Sequence, residues 1–333
     1  MSALKNILKK IPGAKALADK LRASSSDGIS EWLYQHEVCG WMYRPELRRQ
    51  LPWPYRCFAH FAKMQSLLWN GPIVGGERAL RMAMHRNTAN HVALDTGKYT
   101  VFLNLRDPRM LTVPNELLTE RPEVTIFKSS LGEGDTFLDV GANHGSFSII
   151  ASKLVGATGL IVAVEPQPNM AALVKQSLQA NATGRFEVHS FACGDHNGEI
   201  EFFIPESSSG AAGVFAKFSA TTAHRKLTVP LRKFDDAFDW HAFPGKVVLK
   251  LDVEGSELFF VRGAGEMLRA RQPRILLEIN PKSARAAGNS VESLIGALRE
   301  LGYSKVTELT LPEQLRPLAD MDVTRQRNVL LSA

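Results

Sequence analysis

The run Thr136-Phe137-Leu138-Asp139-Val140-Gly141-Ala142-Asn143-His144-Gly145 is the most informative stretch of this 333-residue chain. Its first half is apolar and β-prone, and its second half holds two glycines four positions apart. Glycines there let the chain turn tightly and bring backbone amides against a ligand. Ser146–Leu154 follows with helical spacing through Phe147, Ile150 and Leu154, and Leu160–Val164 reads as a second buried strand ending in Glu165-Pro166. A strand, a glycine turn, a helix, a strand and an acid form the first βαβ unit of an open α/β sheet. In such sheets ligands lie at the carboxyl ends of the strands, near the point where strand order reverses.

The rhythm extends in both directions. Pro168–Ala180 is a helix with proline in its first turn and Met170, Leu173, Val174 and Leu178 on one face. Glu187–Ala192 is expected to be the third strand. Glu199–Ile204 and Leu227–Leu231 alternate as half-buried strands around the small-residue loop Ser207–Gly213, which predicts a hairpin insertion over about 197–232. Lys246–Val253, Ser256–Arg269 and Arg274–Asn280 resume as strand, helix and strand. Ser290–Leu301 is an amphipathic helix, with Asn289 and Glu292 as its expected capping box and Gly302 as its stop. Lys305–Leu309 and Asn328–Leu331 supply late strands. Strands alternating with helices predict a mainly parallel sheet covered on both faces.

The first hundred residues differ in character. They hold 15 Lys and Arg against 7 Asp and Glu, whereas the remaining 233 hold 25 against 27. The net charge of +6 therefore belongs to the first third, which argues against a nucleic-acid-binding α/β core. Leu4, Ile7, Leu8 and Ile11 form an apolar stripe on a short basic helix within residues 1–22, where six cations face one acid. Weak contact with an anionic membrane surface and a plain docked helix are both open there. Ala23–Gly28 reads as a linker, and Trp32, Trp41, Trp53 and Trp69 mark a helical, Trp-rich subdomain. Trp41, Tyr43, Trp53 and Tyr55 either stack on a flat or sugar-like acceptor or simply build a small core. The expected domains are 1–95 and 96–333, with TVFLNL (100–105) an early strand.

No apolar run reaches the roughly 18–20 residues of a membrane-spanning helix. Cys39, Cys57 and Cys193 form no disulfide framework and no C-x-x-C site. With lysines breaking each apolar stretch of the N-terminus, a cytoplasmic location is expected.

The turn also bears on the ligand. Glu165 lies 20 residues beyond Gly145, where an acid suits both hydroxyls of a ribose. A dinucleotide turn prefers a middle glycine so that pyrophosphate can approach the backbone. Here that position is Asn143, and the acid Asp139 stands just upstream. A carboxylate repels pyrophosphate but attracts an amino group or a sulfonium. S-adenosylmethionine carries both cations and no phosphate, so the residues favour a methyl donor over NAD.

DVGANHG (139–145), VEPQPN (164–169), KLDVEGSE (250–257) and RILLEIN (274–280), in this order, resemble the FkbM family of S-adenosylmethionine-dependent methyltransferases. The resemblance covers about Thr100–Leu331. It implies a Rossmann-like, class I methyltransferase sheet of seven strands. It also implies that Asp139, Gly141, Ala142, Asn143 and Gly145 line the methionine half of S-adenosyl-L-methionine. Glu165, with Pro166 beside it, would hold the ribose, and Ala192-Cys193 would flank the adenine. Asp252 would face the methyl group and the acceptor, which in this family is mainly a hydroxyl, often on a sugar or natural product. FDDAF (234–238) resembles the acidic segment that closes the family's insertion.

Chemistry adds a candidate base. Aligning a displacement supplies much of the rate, up to roughly 7–11 kcal/mol in ideal cases, yet an alcohol must still lose a proton. KLDVEGSE puts Lys250, Asp252 and Glu254 on alternate positions, on one side if the strand extends that far. Asp252 is the candidate base or orienting group and Lys250 tunes its charge; a structural ion pair is the other reading. Glu254 and Glu257 stand equally well at the start of the next helix. His144 and His189 are each either a base or, the plainer reading, a turn or core residue, and Cys193 is read as a small apolar wall rather than a nucleophile. No H-x-x-x-H or tight ligand cluster stands out, so no metal is expected. The expected partner is a small hydroxylated acceptor. N-methylation of a protein or small amine, a nicotinamide-dependent oxidoreductase and a non-catalytic module are the alternatives.

Overall fold

The computed structural model describes residues 33–68, 70–205, 209, 212–214, 224–309 and 314–333. The basic stripe over residues 1–22, the linker Ala23–Gly28, Trp32 and Trp69 lie outside the described residues. The chain divides into two units, Met1–Thr119 and Glu120–Ala333.

In the first unit, short helices lead into the helices Trp53–Ser66 and Gly76–Arg86, which pack on each other. Strands β1 (His91–Asp95) and β2 (Thr100–Asn104) follow as an antiparallel pair. TVFLNL is thus a strand of a separate two-stranded sheet. Trp41 is buried and its indole Nε1 donates to the Leu111 carbonyl at 2.7 Å; Tyr55 is buried and its hydroxyl donates to the Leu105 carbonyl. These two aromatics build a core and satisfy their polar tips internally, as buried aromatics must. Trp53, by contrast, is exposed.

The second unit is built on β3 (Thr136–Val140), β4 (Leu160–Val164), β5 (Arg185–His189), β6 (Ala192–Cys193), β7 (Gly198–Pro205), β8 (His224–Arg232), β9 (Val247–Leu251), β10 (Arg274–Ile279), β11 (Lys305–Glu308), β12 (Leu315–Pro317) and β13 (Arg327–Ser332). The main sheet has the order β12-β11-β13-β10-β9-β3-β4-β5. β5, β4, β3, β9 and β10 pair in parallel, and β13 enters antiparallel between β10 and β11. Every residue of β3 and β4 is buried, as a sheet covered on both faces requires. Each such Val, Leu, Ile or Phe contributes about 1.5–3 kcal/mol of burial. Leu138 and Val140 join Phe234, Phe260, Met267 and Leu298 in one core cluster. On the opposite face of β3, Phe137 packs tilted against Phe127, which in turn meets Phe147 edge-on.

Several local expectations change. Among the described residues the sheet has eight strands, because exposed Leu315–Pro317 adds an edge strand with no apolar alternation to reveal it. The expected third strand, Glu187–Ala192, is two pieces: Arg185–His189 pairs with β4, and Ala192–Cys193 pairs with β8 in a small sheet ordered β6-β8-β7. The hairpin insertion is β7 against β8, antiparallel along its length. The helix over 256–269 is two helices, Glu257–Gly263 and Gly265–Arg271. A Cβ at Gly263 would stand 1.8 Å from the Gly194 carbonyl oxygen, so only glycine permits that passage. Asp235, within FDDAF, accepts from the amides of Glu266 and Met267 and so caps the second helix. At the helix Val291–Glu300 the cap is Ser290, which accepts from the Ser293 amide, and the expected Asn289–Glu292 box is not used.

The two loops at the sheet centre touch at Gly141. Its φ is +83°, and a Cβ there would lie 1.9 Å from the carbonyl oxygen of Asp252. Gly141→Ala is expected to cost about 2–4 kcal/mol, combining a left-handed backbone with a direct clash. Gly296, inside the helix Val291–Glu300 with nothing within 4 Å, is the control. There alanine should stabilise by about 0.5–1 kcal/mol. Urea denaturation of both variants measures this; an unchanged midpoint for Gly141→Ala would refute the clash.

Candidate active site

The site lies at the carboxyl ends of β3, β4, β9 and β10, where strand order reverses between β3 and β9. Asp139 and Lys250 are register partners on adjacent strands. Asp139 is buried; its Oδ2 accepts from the Ser148 amide at 3.1 Å and the Ser148 hydroxyl at 2.6 Å. Its Oδ1 is buried without a hydrogen-bond partner. Burial raises this carboxyl above its usual range, against the pull of the Lys250 ammonium and of Ser148.

Glu165 fastens the glycine turn. Its Oε2 accepts from the Asn143 amide at 2.8 Å, and its Oε1 accepts from the Gln167 amide at 3.0 Å and the Gln167 side chain at 3.2 Å. Burial pushes its carboxyl up to about 7 even so, because the three donors offset only part of the desolvation. The amides of Gly141 and Ala142 donate to the Val164 carbonyl, which closes the turn onto β4. Asn143 adopts φ +52°, a conformation asparagine tolerates better than most residues. Its side chain donates to the carbonyl and hydroxyl of Ser209, at 3.2 Å and 3.0 Å, and so ties the insertion to the turn. Ala142 and Gly145 are buried, and Pro166 is half-buried. Cys193 is buried in β6, and desolvation pushes its thiol up to about 12, the behaviour of a small apolar group.

β9 ends at Leu251, so Asp252 and Glu254 stand on the turn beyond it, not on an extended strand. They still converge. Lys250 Nζ donates to Asp252 Oδ2 at 2.9 Å, and the ammonium lies 5.5 Å from the Phe147 ring centre. Burial would lower the Lys250 pKa, but Asp252, Asp139 and Glu278 together hold it above its usual value. Ligand oxygens of Asp252, Glu254 and Glu278 all lie within 4.8 Å of one another. Glu278, at the end of β10, accepts from Gln326 Nε2 at 2.6 Å. Burial first, then the Asp252 charge and a hydrogen bond to it, push Glu278 up to about 8. Glu254, at φ +50°, accepts from the Ser283 hydroxyl at 3.4 Å and is held well above the carboxylate range by burial and by the same neighbours. Glu257 serves the turn: its Oε1 accepts from the amides of Val253 and Gly255, and burial pushes it up to about 7.

Chemically, one ammonium among three clustered carboxylates can hold an acceptor proton or attract a cation. The three carboxylates also have the oxygen donors that a hard divalent ion takes. Sequence reasoning anticipated no metal because Glu278 lies 24 residues beyond Glu254 and becomes its neighbour only through the pairing of β9 with β10. Glu278 and Gln326 were both missed as site residues; the one available signal was an acid ending the apolar run RILLEI. His144 is buried, with Nδ1 2.8 Å from the Asn143 side-chain oxygen. His189 pairs with Glu187 and packs edge-on against Phe238.

The mainly parallel sheet, with β13 antiparallel between β10 and β11 and β12 antiparallel at the edge, is of the class I methyltransferase type. The methyltransferase FkbM domain matches residues 139–305, half of the chain, and the chain belongs to that family of S-adenosylmethionine-dependent methyltransferases. YpiP of Bacillus subtilis (strain 168) is 42% identical over 62 residues, 19% of this chain and 24% of YpiP, so the chain spans about a quarter of that relative's length. Among solved structures, the methyltransferase FkbM from Methylobacillus flagellatus KT is similar at 15% identity with a TM-score of 0.41, covering 85% of this chain and 72% of that one. An S-adenosylmethionine-dependent O-methyltransferase from Thermotoga maritima is similar at 13% identity with a TM-score of 0.34, covering 66% and 69%. Trm5b from Pyrococcus abyssi is similar at 12% identity with a TM-score of 0.37, covering 74% and 56%. Among the described residues no helix is long and apolar enough to cross a membrane.

The raised carboxyls make a prediction for the ligand-free protein. A carboxyl whose folded pKa exceeds its unfolded value binds its proton more tightly in the folded state. Its stabilisation is therefore complete at low pH and is lost as pH rises through the folded value. Glu165 and Glu257 at about 7 and Glu278 at about 8 place that loss between the ordinary carboxylate range and about pH 8. Tm is expected to fall across this window in differential scanning calorimetry, and Glu278→Gln should flatten its upper end. A profile level from mildly acidic to mildly alkaline pH would contradict it.

Proposed function

We propose that the chain methylates a hydroxyl of a saccharide or secondary-metabolite acceptor, with the acceptor's proton received at Asp252. The observation that carries the reading is the convergence of Asp252, Glu254 and Glu278 beside the glycine turn, with Lys250 held against Asp252. S-adenosyl-L-methionine supplies an electrophilic methyl group on a sulfonium. The residues present suit such a group: the buried Asp139 Oδ1 lacks a donor, and the turn it abuts carries no phosphate-binding middle glycine. On this reading Asp139, Gly141, Ala142, Asn143 and Gly145 hold the methionine half, Glu165 and Pro166 face the ribose, and Cys193 walls the adenine.

Each protein group has a distinct task. Glu165 sets the turn by binding the Asn143 amide, so its contribution to cofactor binding includes holding that loop. Lys250 keeps a positive charge against Asp252, which favours a carboxylate ready to accept a proton. Glu278, kept high by burial and by Asp252, carries a proton near neutral pH and limits the negative charge of the cluster. Phe147 lies under the Lys250 ammonium and helps to exclude water from it.

An amine acceptor is the second reading, favoured by the excess of carboxylates over cations at the cluster. The two differ in their need for a base. For a hydroxyl acceptor, Asp252→Asn should lower the transfer rate about 10²- to 10⁴-fold, the usual range for a general base. For an amine, most activity should remain.

Calorimetric titration with S-adenosylmethionine, S-adenosylhomocysteine and NAD tests the cofactor directly. The two adenosyl-sulfur ligands should saturate the protein and NAD should not, and Glu165→Ala should abolish that binding. Labelled methyl transfer to panels of sugar hydroxyls and amines then tests the acceptor. Transfer to amines alone would refute the hydroxyl reading.

A further inference from the structure

Five large hydrophobic side chains are exposed among the described residues, and four of them lie on two adjoining helices of the first unit. Trp53, Phe61 and Met64 are on the helix Trp53–Ser66, at 62%, 42% and 56% exposure, and Met82 is on Gly76–Arg86 at 50%. On a helix turning 100° per residue, positions 53, 57, 61 and 64 fall on one stripe. Cys57 completes it and is exposed. Arg56, His60 and Lys63 are also exposed and run beside the stripe, while Tyr55, Phe58, Ala59 and Ala62 face the core. The helix carries no acidic residue. Its neighbour exposes Arg78, Arg81, His85 and Arg86, with Glu77 as its one acid, paired to Arg81.

A stripe of Trp, Phe and Met bordered by cations is not ordinary surface. Scattered apolar residues need no explanation, but a contiguous set rimmed by one sign of charge marks a contact. Charge narrows the occupant. Two copies of this face related by a two-fold axis would oppose cations to cations. Residues 1–22 carry six cations and one acid and are repelled for the same reason. An anionic lipid surface matches on both counts: aromatic and thioether side chains enter the headgroup–acyl boundary, and Arg and Lys lay their stems on it with their charges at phosphate.

From this face we infer that the first unit docks on anionic membrane surfaces, with Trp53, Phe61 and Met64 inserted and Arg56 and Lys63 at the lipid phosphates. This does not rest on the methyl-transfer reading.

Cys57 supplies a local probe, since Cys39 and Cys193 are buried. The full chain, labelled at Cys57 with an environment-sensitive fluorophore, is mixed with phosphatidylcholine vesicles, with or without phosphatidylglycerol. A blue shift on the anionic vesicles alone, reversed by salt, is expected. Trp53→Ser with Phe61→Ser and Met64→Ser should abolish co-sedimentation. Arg56→Gln and Lys63→Gln should each weaken it roughly fivefold. All five positions are exposed, and unchanged thermal melts would confirm that the variants fold. Equal binding to neutral vesicles overturns the proposal, as does full binding by the triple variant, which would move the contact to another segment. No shift on either vesicle also overturns it, leaving an acidic protein surface as the occupant that the same charges would fit.

Discussion

The contact between Gly141 and the carbonyl of Asp252 is the constraint on which the candidate active-site end of the sheet depends. Two loops, one from each side of the strand-order reversal, approach so closely that no side chain fits between them. The Asp252 amide donates back to the Val140 carbonyl, so the two strand ends are joined by hydrogen bond as well as by packing. With that approach fixed, Lys250 stands in register with Asp139, bonds Asp252 and lies over Phe147. Glu165, just beyond β4, fastens the glycine turn, and Glu278 on β10 joins Asp252 and Glu254.

The charge arrangement is economical in its use of backbone. Two of the buried acids, Glu165 and Glu257, turn their oxygens to amides of the turns that follow β3 and β9. They give these turns a fixed shape without filling them with side chains. The cost is desolvation, visible as carboxyls pushed toward neutrality. The other acids, Asp252, Glu254 and Glu278, lie partly accessible and are held by side chains instead: Lys250, Ser283 and Gln326 respectively.

The sheet was legible in the sequence because buried parallel strands are continuous apolar runs and glycine turns have few substitutes. Thr136–Val140 with its DVGANHG turn, Leu160–Val164 and Arg274–Ile279 all declared themselves in this way. What stayed hidden depended on distance in sequence or on backbone geometry. Glu278 and Gln326 reach the site only through strand pairing, 48 residues apart from each other. The need for glycine at 263 follows from the Gly194 carbonyl, 69 positions earlier in the chain. β12 has no apolar alternation, and the split of the third strand falls where the chain leaves one sheet for another. The sequence offers Trp53 as an acceptor-stacking or core residue and leaves its exposed stripe hidden, since a tryptophan's exposure is decided by the fold around it.

The insertion between β6 and β9 is pinned near both its ends to one helical segment. Gly194 meets Gly263 at its start, and Asp235 caps the helix Gly265–Arg271 at its close. Chain between two such anchors can be lengthened or shortened at little entropic expense, because loop closure varies only slowly with length. The β7–β8 hairpin is in this sense a replaceable cassette. Its length and composition can change while the sheet beneath keeps its register.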